Sequence, residues 1–381
     1  MDSLFSWFLK QLETNMRGVI LAFIVLLVTC CEMFSQGVTG SDYKVGEVTA
    51  VNNSKVTIIG SNRLGEQALD LTLSNNKKVV AYNLMNGAME YDEYYQVGDR
   101  VLVAIANNDH TRTRVISRYR LPALIGLAIA FSLGLLLYAR KVGAKALLSF
   151  IGSIVIIVEL LIPGLMAGYS PLLVTAVCLL MLCSLIILSV AGWTAKGKAA
   201  LAGTIIGLIV TMILCVLVGK LLHLDGMTQP LAQPLLFETG MYLNMLDILY
   251  AAILIGASGA AMDVAMEMAA TMEELKINAP EMNQMDLLRS GFRVGNAVIG
   301  TMTTTLLLAY SGSFLTMIML FASRGNDVMQ IINMKVVAAE IARTLIGSLS
   351  LIIVAPITAW IACWMISKEF EPNAQIELEE A

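Results

Sequence analysis

The residues of this sequence whose chemistry stands out are carboxylates inside long apolar stretches. Asp263 and Glu267 are four residues apart, so a helix carries both on one face. Glu274 follows seven further on, close to the same face. A charge in hydrocarbon is costly and is kept where it meets a bundle interior, a cavity or a partner. Such an acidic strip could bind a proton or a cation. In the other reading the helix leaves the membrane here, and Glu267 and Glu274 sit in water. Glu340 and Arg343, three apart, can pair with each other or belong to a polar path. Glu159 stands in the run Ile156-Ile157-Val158-Glu159-Leu160 without a local partner. Thr301 and Thr304 belong to a hydroxyl-rich stretch with Thr303, Thr305, Tyr310, Ser311 and Ser313. Hydroxyls in a span can line a polar path, bond back to helix carbonyls or hold a neighbouring helix.

Other chemistries lack their residues. All six cysteines lie in apolar runs, which argues against a disulfide framework and against a zinc site. Two histidines, His110 and His223, leave little scope for a metal cluster or a Ser-His triad. Met262, Met266, Met268 and Met272 crowd the acidic helix, where soft packing explains them better than Cu(I) ligation. There is no Gly-rich phosphate loop with Lys-Ser/Thr and no nucleophile-and-base constellation. The reading is therefore not an enzyme, with no cofactor. At a net charge of −4, nothing suggests a nucleic-acid partner.

The elements that must position these residues are membrane helices. The chain has 381 residues and is 57% hydrophobic but only 14% charged, against about 25% charged in a soluble domain. A bilayer can absorb that much apolar sequence. A crossing needs about 20 apolar residues. Eight stretches qualify, near 18–36, 122–139, 146–166, 171–191, 199–221, 246–270, 294–322 and 338–366. The first reads as a retained anchor, because Thr29-Cys30-Cys31-Glu32 is no small-x-small cleavage site. Lys10 and Arg17 place the N-terminus inside. Arg140, Lys141, Lys145, Lys196, Lys198, Lys276, Arg289 and Arg293 then also fall inside.

Residues 40–120 read differently. The segments 45–51 and 68–73 alternate with period two, and 78–82 and 100–105 are rich in β-formers. Asn52-Asn53, Ser74-Asn75-Asn76 and Gly98-Asp99 supply turns between them. Short strands at this density predict a small closed barrel or sandwich, placed outside the cytoplasm. The organisation expected is a cytoplasmic N-terminus and anchor over 1–39, an extracytoplasmic β-barrel-like domain over 40–120, a seven-helix membrane domain over 121–368, and a disordered acidic cytoplasmic tail over 369–381.

Three stretches resemble the YibE/F family of bacterial membrane proteins. They are Ile255-Gly-Ala-Ser-Gly-Ala-Ala-Met-Asp-Val-Ala-Met-Glu267, Gly300-Thr-Met-Thr-Thr-Thr-Leu-Leu-Leu-Ala-Tyr310, and Ala339-Glu-Ile-Ala-Arg-Thr-Leu-Ile-Gly347 followed by Ala355-Pro356-Ile357-Thr358. The order of anchor, external β domain and further spans also fits. Members often carry an Arg-Asp pair before the Gly-Thr-Met stretch and an Asn within it; this chain has Asn296-Ala297 and Thr304 there. The resemblance implies a cell-membrane permease, with no established substrate. The small-residue run, Asp263, Glu273-Glu274 and the Thr-rich span are also similar in order to proton-coupled RND-type proteins such as SecD/SecF, an analogy only. Two functions are then expected. One is a transporter coupled to protons or cations through Asp263. The other is a non-transporting membrane subunit whose β domain binds an extracytoplasmic partner.

Overall fold

The computed structural model describes residues 41–379, apart from residues 90, 107, 108, 241 and 326. The expected anchor at 18–36, its flanking Lys10 and Arg17, and Cys30 and Cys31 lie outside the described residues. The chain divides into two units at Arg140, whose backbone (φ 44, ψ −114) interrupts the helix around it.

The first unit is built on a closed barrel of five strands. They are β1 (Ser41–Ile59), β2 (Asn62–Leu73), β3 (Lys78–Asn86), β4 (Arg100–Ala106) and β5 (Asp109–Arg118). The order around the barrel is β1-β2-β3-β5-β4. The long β1 pairs with β2 on one side and β4 on the other, and β3 meets β5 in parallel at Tyr82 and Arg114. This is the connectivity of an OB-type Greek-key barrel. Alternation fills the interior: Leu69, Leu71 and Leu73 point in while Asp70 points out. Bulges in β1, between Val48 and Ala50 and again between Asn52 and Lys55, let one strand serve two neighbours. Gly98, at φ +94, makes the turn into β4.

A polar plug closes the barrel. Gln67 is fully buried, and its Nε2 donates to the Asn53 side chain and the Tyr95 carbonyl at 3.0 Å each. Its Oε1 accepts from the Tyr95 backbone N–H at 3.2 Å and from Asn83 at 3.3 Å. Tyr95 is 1% exposed, and burial, with Glu93 beside it, pushes its phenol well up. Strand β5 is the element the sequence reading missed. The arginines of this segment, Arg114 and Arg118, resemble the charge that flanks a span, but Val115 between them fills the core.

Helix α1 (Leu121–Ile156) continues through a π turn (Ile157–Leu161) into α2 (Ile162–Met166). Expected spans 122–139 and 146–166 fall on two helices that meet at the non-helical backbone of Arg140, the second running on through the π turn to Met166. Then come α3 (Pro171–Ala191), α4 (Ala195–Leu221), the short α5 (Ala232–Glu238), α6 (Met245–Asn278), α7 (Gln284–Ser313), α8 (Leu315–Ser323), α9 (Val328–Asn333) and α10 (Lys335–Glu379). Among the described residues five helical segments are long and apolar enough to cross a membrane, or six if α7 and α8, bent by 63°, count as one. The bend divides the expected span 294–322 at Phe314. Helix α10 runs on to Glu379, through most of the segment expected to be a disordered tail.

Small residues set the packing of the second unit. The space a Cβ would take on Gly203 is filled by Thr358, and that on Gly207 by Val354, so α4 lies against α10 at backbone distance. Gly291 and Gly295 of α7 receive Met272 and Met268 of α6 in the same way. Helix α6 is enclosed by α3, α4, α7 and α10.

Candidate functional site

An ion pair gives the depth scale. Lys196, at the start of α4, meets Glu273, near the end of α6, at 2.5 Å. At the far end Gly219 meets Tyr250. The two contacts are 23 residues apart on both helices, so α4 and α6 run antiparallel in strict register. Lys198, two residues past Lys196, ends the apolar stretch and lies level with Thr271, so the pair and Glu274 sit just outside one edge of the apolar zone. Asp263 is eight residues inside that edge, about 12 Å of a typical 30 Å hydrocarbon core. Glu267 is four residues in, about 6 Å.

Both carboxylates lie on the exposed side of α6, with Ala252, Gly256, Gly259 and Ala270, while Ala257, Ala261, Met268 and Met272 face inward. Among the described residues neither Asp263 nor Glu267 has an ion-pair partner. A four-residue spacing keeps the two acids one turn apart on the same face.

Glu340 and Arg343 are placed otherwise. They form an ion pair at 3.2 Å on α10, with side chains only 7% and 15% exposed. The contacts of Gly203 and Gly207 with Thr358 and Val354 put Glu340 level with Leu221, at the end of α4 opposite Lys196. Asp263 and Glu340 are then separated by fifteen residues of helix, about 22 Å along the bundle.

Thr301 and Thr304 sit on the exposed side of α7. The Gly291–Met272 and Gly295–Met268 contacts place them at the depth of Met262 and Gly259, beside the Asp263 level. Their hydroxyls donate to carbonyls of their own helix, Thr301 to Val298 at 3.0 Å and Thr304 to Gly300 at 3.2 Å. An acceptor lone pair remains free on each oxygen.

Glu159 lies in the π turn, exposed, midway along the segment that packs on α3. Gly152 contacts Leu185 and Gly164 contacts Val174, twelve residues on one side against eleven on the other. The π turn absorbs the extra residue and turns Glu159 to the surface. Asp263 and Thr301 thus share a depth, with Glu267 one turn to one side and Thr304 one turn to the other, whereas Glu340 with Arg343, and Glu159, stand apart from them and from each other.

Sequence reasoning missed three groups in this unit. The Lys196–Glu273 pair joins residues 77 apart, beyond any local pattern. Tyr310 reaches the Cβ position of Gly256 at 3.0 Å, linking two of the quoted motifs across α7 and α6. Asp225, in the loop after α4, pairs with Lys335 at the start of α10. Burial works to raise the Asp225 carboxyl, and the Lys335 ammonium with the Met227 N–H outweighs it, so it stays below the usual range.

Residues 127–368, from within α1 to near the apolar end of α10, match the family described as YibE/F-like protein. The chain belongs to this family. No curated protein and no solved structure matches it. The YibE/F match covers every helix that carries a candidate residue, and together with the apolar helices it makes the chain a membrane protein.

Proposed function

We propose that this YibE/F protein is a multi-pass transporter of the bacterial cell membrane, driven by a proton or cation that binds at Asp263. The observation that supports this is the depth of Asp263: a carboxylate without an ion pair among the described residues, about 12 Å inside the apolar edge and one turn from a second. Two like charges a turn apart in a low-dielectric setting repel, and a proton or cation bound at the pair removes that repulsion. Gly259 leaves room beside it, and the Thr301 oxygen at the same depth can accept from a bound ion's hydration shell. Glu340 with Arg343 serves as an internal brace in this reading, since each neutralises the other. The β-barrel is extracytoplasmic, both termini are cytoplasmic, and no cofactor or catalytic step is involved.

The test is proton and cation flux in proteoliposomes of the full chain, wild type against Asp263→Asn. The proposal expects the variant to lose at least about 90% of the coupled flux, the scale of a lost essential proton site. Unchanged flux would remove Asp263 from the mechanism. A second reading, a non-transporting membrane subunit, is favoured by the outward apolar residues Val80, Tyr82 and Leu84 on β3, each over a third exposed. In that reading the barrel binds an extracytoplasmic protein, and wild-type vesicles show no coupled flux at all.

A further inference from the structure

Two helix faces in the second unit lack a partner and complement each other. The first is the exposed side of α6: Gly259, Asp263, Glu267 and Ala270. The second is the exposed side of α7: Arg293, Asn296, Ala297, Gly300, Thr301 and Thr304. Arg293 has no ion pair among the described residues, and neither has Asp263 or Glu267. The α6–α7 contacts fix their relative depths. Arg293 lies level with Ala270, one turn from Glu267 and one from Glu274. Gly300 lies level with Asp263, and Thr304 with Gly259. A Cβ on Gly259 or on Gly300 would meet nothing within 4 Å, so both faces hold an open notch at mid-depth.

We propose that these faces bind a second copy of this chain side by side in the same bilayer, α6 of one copy against α7 of the other. Same-membrane orientation preserves depth, so the guanidinium of one copy arrives between the acids of the next. Hydroxyls arrive at the level of Asp263, where hydrocarbon would leave the carboxylate unsolvated. Small residues on both sides allow the close backbone approach on which helix association in lipid depends. Charge selects the pairing. Two α6 faces together would oppose acids to acids, and two α7 faces would oppose arginines to arginines. Only α6 against α7 joins opposite charges at one depth.

The experiment uses the full chain in native membranes, with Cys30 and Cys31 replaced by serine; the four described cysteines are buried. One tagged copy carries Gly259→Cys and a differently tagged copy carries Thr304→Cys. Mild oxidation should join the two tags far more efficiently than it joins copies carrying Tyr138→Cys, a fully exposed helix position that reports random collision. Arg293→Glu or Glu267→Arg alone should cut the yield about tenfold, as like charges meet across the contact, and both together should restore it. Photobleaching of the labelled wild-type chain in dilute vesicles should show two steps. A single step, or a Gly259–Thr304 yield no greater than that of Tyr138, would overturn the proposal and leave lipid or a different protein covering these faces. An unfolded cysteine variant does not rescue the idea, because the photobleaching count uses wild type.

Discussion

Replacing Gly203 by leucine tests whether α4 and α10 are held together by close backbone approach. A Cβ at this position would stand 2.9 Å from both Cα and Cβ of Thr358, and nearer still to its hydroxyl. Carbon atoms in contact prefer about 3.5–4.0 Å, so the helices must part locally by roughly 0.6–1 Å. The obstacle is partly backbone, which no rotamer change can move aside. A gap of that size forfeits about a quarter to a half of each contact's attraction along the seam, including Gly207 against Val354 one turn away. Overpacking of this kind costs about 1–3 kcal/mol, or roughly 5- to 150-fold in the folding equilibrium. The assay is reversible unfolding of the full chain in mixed micelles by increasing SDS. Gly134→Leu is the reference, because a Cβ there meets nothing within 4 Å. Both substitutions gain the same intrinsic helix propensity, so their difference isolates the contact. Equal unfolding midpoints would refute the close-approach argument and the register drawn from it.

Two further outcomes follow from the described contacts. Gln67→Ala removes one hydrogen-bond partner each from Asn53, Asn83 and both backbone groups of Tyr95 inside the barrel, and should cost about 2–4 kcal/mol; barrel amides should lose hydrogen-exchange protection while those of α6 keep theirs. Asp225→Asn breaks the tie to Lys335. Because the folded carboxyl is held below its ordinary value of 3.8, its contribution is complete above that pH and fades as pH falls through the lower folded value. With both side chains about half exposed, the contribution should be under about 1 kcal/mol. The wild-type advantage in thermal unfolding should therefore be constant from pH 8 to about 5 and shrink below pH 4; an advantage that grows in acid would contradict the assignment.

What the sequence displayed and what it hid follow from range. Alternation in 68–73 is a local signal, and Leu69, Leu71 and Leu73 are core residues as expected. Gly203 and Gly207 form a small-xxx-small pair, a local signal of helix packing, although only the structure names Thr358 and Val354 as the residues opposite. Strand β5 was hidden because its exposed residues include Arg114 and Arg118, which look like a span boundary until the barrel closes around Thr113 and Val115. The run from Leu121 to Met166 reads as two stretches because Arg140-Lys141 punctuates it, and the helical backbone is interrupted at Arg140. The depth of Asp263 could not be read locally at all. It depends on Lys196 and Glu273 meeting, residues 77 apart in the chain.

The contrast between Asp263 and Glu340 also decides which substitution is informative. Glu340 is buried against Arg343, so Glu340→Gln leaves a guanidinium inside the bundle without its charge partner, which costs about 3–5 kcal/mol where such pairs are broken. Lost flux in that variant would be indistinguishable from lost fold. Asp263 faces away from the packed side of α6, where Ala257, Ala261, Met268 and Met272 hold the helix in place. Asparagine has nearly the same volume as aspartate and removes only the charge. Asp263→Asn should therefore unfold at the same SDS concentration as wild type, within about 0.5 kcal/mol. With stability held, any change in flux belongs to the titrating group itself. If Asp263→Asn instead proves markedly less stable, the carboxylate is part of the packing, and the mid-membrane charge has a structural reason that makes a coupling role unnecessary.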